Sequence, residues 1–448
     1  ISMIKKEDLK KNVSKEPIQS LKGMGDIFGD KYYLYQGLFE KAQEIAVYYG
    51  FKPIETPTLE KEEVFIRGVG EGTDIIDKEI YNFKTKGGER VAMRPEYTAA
   101  IMRSYIENGM MNLPQPIMLY SYGPIWRHDN PQKGRLREFR QFNLEILGTE
   151  KSIADAIIIQ TLMTILKDFG FENLIIDINS IGDKNDRAVF TRELVTYYKK
   201  HVGKMCKDCQ FRIQNNPLKL LDCKNEECQK YKELAPVSIN YLSSDSKQHF
   251  KEVLQYLEEA GIEYRINNTL VRGLNYYTHT VFEVIKIEKE VDEEGNEIEN
   301  GKEKEITITG GGRYNYLARE LGSKKDVPAV GTALGIDRIM MFKECKQLSP
   351  KIIKKPKIYF LQLGFEAKLK SLKIMEIFRE NKVPVYQTLS KDSLSAQLAN
   401  AAKIGTPYCI IFGQKEAMDG TVIVRNMKNH SQEIIKIDSL SEFLKKLK

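Results

Sequence analysis

What the chain lacks narrows it first. No apolar run approaches the ~20 residues that a membrane-spanning helix needs, so no membrane partner is expected. The lysine-rich segment Ile1–Asn12 has no apolar centre of the kind that marks a secretory signal, and the expected location is the cytoplasm. Six cysteines among 448 residues are too few for a disulfide-stapled scaffold. Neither sign of charge dominates: the net charge of +7 comes from 69 basic and 62 acidic residues, weak support on its own for a nucleic-acid partner. No G-x-x-x-x-G-K-[ST] segment occurs, so the P-loop route to a nucleotide phosphate is absent. Gly68–Gly72 (GVGEG) lacks the last glycine spacing of a dinucleotide-binding turn, and no short-period repeat is present.

What remains is a globular chain of two or three domains, with 42% hydrophobic and 29% charged residues. Leu34, Leu38, Ala42, Ile45 and Tyr49 recur at three- and four-residue steps and predict a helix over Lys31–Tyr49, with Gly50 as its stop. Phe51–Leu59 reads as extended. Pro95 opens a second helix over Glu96–Glu107, closed by Asn108-Gly109. Pro116–Tyr122 and Phe139–Leu147 are strands. In the second, Phe142, Leu144 and Ile146 alternate with Gln141, Asn143 and Glu145. That polar face either meets solvent or floors a polar cleft. Ser152–Phe169 reads as a helix, Asn173–Ile181 as a strand and Asp183–Glu259 as mostly helical. Strand pattern returns at Val281–Ile287, and the highly charged Glu288–Glu305 reads as a solvated hairpin turning at Gly295-Asn296. From Pro356 short strands and helices largely alternate, which predicts a separate small α/β domain.

Four of the six cysteines cluster: Cys206-x2-Cys209 and Cys223-x4-Cys228, with 13 residues between the pairs. The spacing suits a structural tetrahedral zinc site; reduced, partly buried thiols are the plainer alternative. His128 and His279 sit beside motifs, but nothing pairs either with a nucleophile, and a structural role is the simpler reading.

The polar residues around the second strand suggest a chemistry. Activating a carboxylate with ATP calls for forked guanidinium donors on phosphate and for carboxylate or amide oxygens on an ammonium group. Arg127 ends the first strand, Arg135 and Arg137 stand at the loop's return, and Gln141 and Glu145 lie on the polar face.

Three segments resemble the signature motifs of class II aminoacyl-tRNA synthetases. Gly50–Pro57 (GFKPIETP) resembles the dimer-interface motif. Gly123–Glu145 (GPIWRHDNPQKGRLREFRQFNLE) resembles the second motif, two antiparallel strands and a loop. Gly331–Arg338 (GTALGIDR) resembles the third, whose arginine faces ATP. Leu270–Val284 (LVRGLNYYTHTVFEV), Gly311–Tyr314 (GGRY) and Met93–Thr98 (MRPEYT) are similar to segments of the histidyl-tRNA synthetases, over nearly the whole chain. The resemblance implies an α+β protein: a class II synthetase-like catalytic core with an antiparallel sheet and a helical insertion, followed by a C-terminal α/β anticodon-binding domain. Residues 1–175 and 263–345 would form the core, 176–262 the insertion with the cysteine cluster, and 356–448 the anticodon-binding domain.

The same resemblance implies site roles. Glu96, Thr98 and Gln141 would hold the α-amino group of histidine. Glu145 and Tyr277 would read its imidazole, with Tyr276 and Tyr314 shaping the pocket. Arg127 and Arg272 would bracket the α-phosphate of ATP as the catalytic pair. Arg135 and Arg338 would bind the outer phosphates, bridged by Mg2+, and Gln132 and Arg137 would meet the acceptor end of tRNA(His). A homodimer is implied, and no metal ligand is assigned among these site residues. Asn130, Asn275 and Asn315-Tyr316 depart from the commoner residues of these motifs, and Asn130 touches the expected tRNA contact. A non-catalytic regulatory paralogue and a class II synthetase for another amino acid are the alternatives. Against them stand the full set of site arginines, the long segment after Pro356, and the LVRGLNYYT and GGRY pieces.

Overall fold

The structure, a computed structural model, describes residues 17–70, 72–130, 134–289, 303–351, 356–389 and 393–446. Contacts divide the chain into Ile1–Pro350 and Lys351–Lys448. In the first unit α1 (Gly29–Tyr48) buries Leu38, Ala42, Ile45 and Ala46 along one face. Gly50 ends it at φ +89: its N–H bonds to Val47 O, and the N–H of Phe51 bonds to Ala46 O. Glycine takes that left-handed turn without the strain a Cβ brings.

The chain continues through β1 (Lys52–Pro53), β2 (Leu59–Lys61), α2 (Glu62–Val69), β3 (Asn82–Lys84), β4 (Arg90–Met93) and α3 (Thr98–Glu107). Next come β5 (Ile117–Trp126), β6 (Glu138–Leu147), α4 (Ile153–Asp168) and β7 (Leu174–Ser180). The helices α5 (Lys184–Lys199), α6 (Lys207–Asn215), α7 (Glu226–Gln229) and α8 (Ser244–Glu259) precede β8 (Tyr264–Ile266), β9 (Thr278–Lys289), β10 (Glu303–Arg313) and β11 (Ala329–Gly335). Eight strands form one sheet in the order β1-β5-β6-β11-β10-β9-β7-β8. It is antiparallel except at its two ends, where β1 runs parallel to β5 and β8 to β7. A small sheet, β2-β4-β3, stands apart.

The alternation on β6 is resolved by packing. Phe142, Leu144 and Ile146 join a core with Leu38 of α1 and with Ile158, Leu162 and Leu166 of α4. Gln141, Asn143 and Glu145, on the other face, are also buried, at 8%, 0% and 0% exposure. The polar face is therefore the floor of a cleft and not a solvated surface. On that side a second core joins Tyr97, Ile101 and Tyr105 to Tyr276, Tyr277 and Tyr314.

Between β7 and β8 the helical stretch divides. Phe190, Leu194, Ile213 and Leu220 form a small core of their own with three of the cysteines. Phe250, Val253 and Leu257 of α8 pack instead into the main core. Strand β7 runs across the 175/176 boundary drawn from the sequence. Apolar periodicity marks a buried helix face without marking which core receives it. The charged hairpin after β9 is strand at both bases: Lys289 pairs with Glu303 and Ile287 with Glu305. Its turn, Gly295-Asn296, lies outside the described residues.

In the second unit β12 (Ile358–Gln362), β13 (Val385–Gln387), β14 (Tyr408–Phe412), β15 (Thr421–Asn426) and β16 (Gln432–Lys436) make a mixed sheet, ordered β13-β12-β14-β15-β16. Helices Phe365–Glu380, Leu394–Ile404, Gln414–Asp419 and Leu440–Lys446 accompany it. Phe360, Phe378, Ile410, Phe412 and Leu440 belong to its own core. Strand β16 is mostly exposed, and its sequence therefore lacks the apolar alternation that marks the other strands. No helix among the described residues is long and apolar enough to cross a membrane.

Candidate active site

The polar face of β6 opens on a cavity of about 540 Å3. At one end the chain stops for Pro95 and then starts α3. The Glu96 carboxylate accepts the N–H groups of Thr98 (2.7 Å) and Ala99 (2.8 Å), two of the donors that a helix start leaves unpaired. Burial raises the Glu96 carboxyl above its ordinary range despite these bonds. Thr98 Oγ1 donates to Glu145 Oε1 at 2.7 Å, and the Tyr314 hydroxyl donates to Glu145 Oε2. Glu96, Thr98, Gln141, Tyr276, Tyr277 and Tyr314 all line the cavity. Glu145 does not; it stands fully buried behind Thr98 and Tyr314, and burial pushes its carboxyl up to about 8.

Glycines make room for this arrangement. Gly331 of β11 lies opposite Glu145 of β6, and a Cβ there would collide with the carboxylate. A Cβ on Gly310, Gly311 or Gly312 of β10 would strike the carbonyls of Phe282, Gly331 and Thr280 respectively. These positions need a thin strand, not an unusual φ. Across the cavity the rings of Tyr276 and Tyr277 lie 4.7 Å apart and those of Tyr276 and Tyr314 5.5 Å apart, an aromatic wall. Gln141 Oε1 is buried and without a partner among the described residues. Leaving such an acceptor dry costs about 1–3 kcal/mol, so it marks a place where a ligand's N–H would be held.

The cationic side is built from separate elements. Arg127 follows β5; its Nε donates to Pro95 O at 2.9 Å and its guanidinium lies 5.5 Å from the Phe139 ring centre. Arg272, in the loop before β9, is ion-paired with Glu283 and lies 6.0 Å from the Tyr277 ring centre. Arg338 follows β11. Burial and then the like charge of Arg135 lower its pKa, so the two cations share one positive field. Arg135 also pairs with Asp129 at 3.2 Å and is largely exposed. All four arginines line the cavity. Arg137 does not; its Nε donates to Asp129 O at 3.2 Å. Gln132 lies outside the described residues. Asn130 is exposed, its N–H on Asp129 Oδ1 at 2.7 Å.

Local pattern does not name the partners of several participants, although Glu283, Asp337 and Arg313 lie within the motif segments. Arg187 of α5 donates from Nη1 to the carbonyls of Asn275 (2.7 Å) and Tyr277 (3.2 Å), pinning the loop that bears Arg272. Glu283 fixes Arg272. Asp337 accepts from the Arg140 N–H at 2.6 Å and from the Tyr35 hydroxyl, tying β6 to α1. Arg313 neighbours Tyr314 but turns away from the cavity: it forms a fully buried ion pair with Asp155 of α4. Burial acts to raise the Asp155 carboxyl, yet Arg313 and His249 hold it well below the usual carboxylate range. His128 and His279 are both absent from the cavity wall. His279 is 5.2 Å from His249, and burial, then that neighbour's charge, lowers its pKa to about 4.

One cavity thus joins an end rich in carboxylate, amide and aromatic groups to an end holding four guanidinium groups. It can take a small ammonium-bearing molecule at the first and polyphosphate at the second, with a carboxylate between them.

Comparison with known proteins places the chain among relatives of one kind. A family model described as "Histidyl-tRNA synthetase" matches residues 23–183, and one described as "Anticodon binding domain" matches residues 357–447. A histidine–tRNA ligase from Fervidobacterium nodosum is 38% identical over 92% of this chain and 95% of its own. One from Desulforamulus reducens is 36% identical over 95% of this chain and 98% of its own. The crystal structure of apo S. aureus histidyl-tRNA synthetase superposes with a TM-score of 0.75 at 29% identity, covering 96% of this chain and 100% of that one.

Proposed function

We propose, for a chain that belongs to the histidyl-tRNA synthetase family, a division of labour among the residues of this one cavity. The protein is a histidine–tRNA ligase. Histidine and ATP give histidyl-adenylate and pyrophosphate, and the histidyl group then passes to tRNA(His) with release of AMP. In the first step a histidine carboxylate oxygen attacks the α-phosphorus and pyrophosphate leaves in line. That step needs alignment and charge neutralisation but no protein nucleophile.

Glu96, Thr98 and Gln141 hold the α-ammonium group, Gln141 through its otherwise unpartnered Oε1. Tyr277 meets the imidazole, while Tyr276 and Tyr314 enclose it. Glu145 acts from behind, through the hydroxyls of Thr98 and Tyr314. A ring lacking the imidazole N–H groups would leave buried polar atoms unpaired, the strongest form of rejection available to such a pocket. Arg127 and Arg272 bracket the α-phosphate as the catalytic pair, and Arg135 and Arg338 hold the outer phosphates.

Mg2+ accompanies the polyphosphate. Glu79 and Asp129, carboxylates on the cavity wall, are hard oxygen donors suited to a cation that takes its other ligands from phosphate and water. When bound, it neutralises charge on the leaving pyrophosphate. Gln132 and Arg137, on the β5–β6 loop, meet the acceptor end of the tRNA, and the second unit reads its anticodon. Residues 1–175 and 263–345 serve as catalytic core and 176–262 as insertion, with α8 contributing to the core. A homodimer forms through Gly50–Pro57, where β1 is an edge strand of the large sheet. The protein works in the cytoplasm, where tRNA is charged.

The observation that carries this reading is the convergence on one cavity of ten residues drawn from five separated segments. Amino-acid-dependent ATP–pyrophosphate exchange across the twenty amino acids tests it, with exchange expected for histidine alone. Exchange with another amino acid in its place would overturn the assignment of the imidazole pocket.

A further inference from the structure

The insertion holds a second cluster of reactive groups that the charging reaction leaves unused. Cys206, Cys209, Cys223 and Cys228 bring their four Sγ atoms within 4.8 Å of one another. The Cys206 and Cys223 sulfurs are 3.9 Å apart, and none of the four is in a disulfide. Zinc–thiolate bonds of about 2.3 Å in a tetrahedron set sulfur–sulfur distances of about 3.8 Å, whereas a disulfide needs about 2.05 Å. Four sulfurs converging on one point suit a single ion. The N–H of Cys206 donates to Cys228 Sγ at 3.3 Å, a bond that favours the thiolate form and orients the sulfur. Cys209, Cys223 and Cys228 are buried, so water would compete little for the metal.

The two pairs also bracket residues 210–222. That segment reaches the active site at two points. Asn216 Nδ2 donates to Asn275 Oδ1 at 3.2 Å, in the loop that carries Arg272. Lys219 Nζ lies 2.7 Å from Asp74 Oδ2 and lines the cavity. We propose that the four cysteines bind one zinc ion as a tetrathiolate, and that this ion fixes residues 210–222 against the active-site loop. The metal site rests on the sulfur geometry alone and stands or falls separately from the assignment of histidine as substrate.

Metal analysis of the purified full-length chain tests it. One zinc per chain is expected, and Co2+ in its place should give intense thiolate-to-cobalt absorption in the near ultraviolet with tetrahedral bands in the visible. Cys209→Ser and Cys223→Ser should each lose the metal. If either variant fails to fold, cobalt uptake by the unaltered chain decides the matter. Stripping the metal should lower Tm and raise the KM for histidine in the exchange reaction more than it lowers kcat. Four thiols that react freely in a chain without bound metal, two thiols lost to a disulfide, or iron in place of zinc would each overturn the site. A metal-free chain with unchanged Tm and KM would overturn its coupling to the active-site loop.

Discussion

Arg272 is held by Glu283 and by the Tyr277 ring, on a loop whose carbonyls are pinned by Arg187. A guanidinium so placed loses little freedom when it meets phosphate. Arg272→Ala is expected to lower histidine-dependent exchange by roughly 10²–10³-fold with an unchanged circular dichroism spectrum, the usual scale for losing one charge-stabilising donor group. Arg272→Lys should fall between, because it keeps the charge and loses the fork. Near-normal exchange in the alanine variant would remove Arg272 from the reaction. Glu145 makes a pH prediction. Its carboxyl ordinarily ionises near 4.5 and burial raises it to about 8, so the folded chain binds that proton more tightly than the unfolded chain. The stabilisation is complete below pH 4.5 and fades as pH rises through about 8. The Tm of the parent minus that of Glu145→Gln should therefore grow as pH falls across this window; a flat difference would contradict the shift. The buried Asp155–Arg313 pair is structural. Asp155→Ala should cost about 3–5 kcal/mol in denaturant unfolding, because it strands a buried guanidinium.

At the scale of elements, the site depends on thin strands. Gly331→Ala drives a methyl into the Glu145 carboxylate. The expected result is a loss of about 1–3 kcal/mol of stability, as for other overpacked interiors, together with a raised KM for histidine; an unchanged KM would detach Glu145 from the amino-acid pocket. Much of this architecture was legible beforehand. The stop at Gly50, the helix after Pro95 and the alternation on β6 follow from local rules, since each depends on φ, on a missing N–H or on a period of two. The destination of each face was not legible. Gln141, Asn143 and Glu145 carry the same pattern whether they meet water or a cavity, and only the strand partners of β6 and the opposing aromatic wall bury them. For the same reason α8 read as part of the insertion although its apolar face belongs to the main core. Arg313 and Tyr314 are adjacent in one motif, yet the pleat sends one to Asp155 and the other to Glu145.

At the scale of the whole molecule, two units each carry a hydrophobic core of their own. The residues proposed for catalysis all lie in the first, and the match to an anticodon-binding domain covers the second. A chain ending at Pro350 should retain histidine-dependent exchange and lose most of its tRNA charging. Loss of exchange with a folded first unit would show that activation itself needs residues beyond 350.

The sequence by itself determined the class of chemistry, the amino acid and the order of the parts. The polar residues around Gly123–Glu145 suggest the chemistry, and the resemblance of that segment, Leu270–Val284 and Gly311–Tyr314 to synthetase motifs supplies the rest; both lie in short contiguous segments, which survive without knowledge of the fold. Tertiary structure alone decided which of those residues face the cavity, that Glu145 stands behind its hydroxyl partners, that Arg187, Glu283 and Asp337 brace the site, and that four cysteine sulfurs converge. Each of these is a meeting of side chains, most of them tens or hundreds of residues apart in the chain, and local periodicity contains no information about which distant surfaces the core will press together.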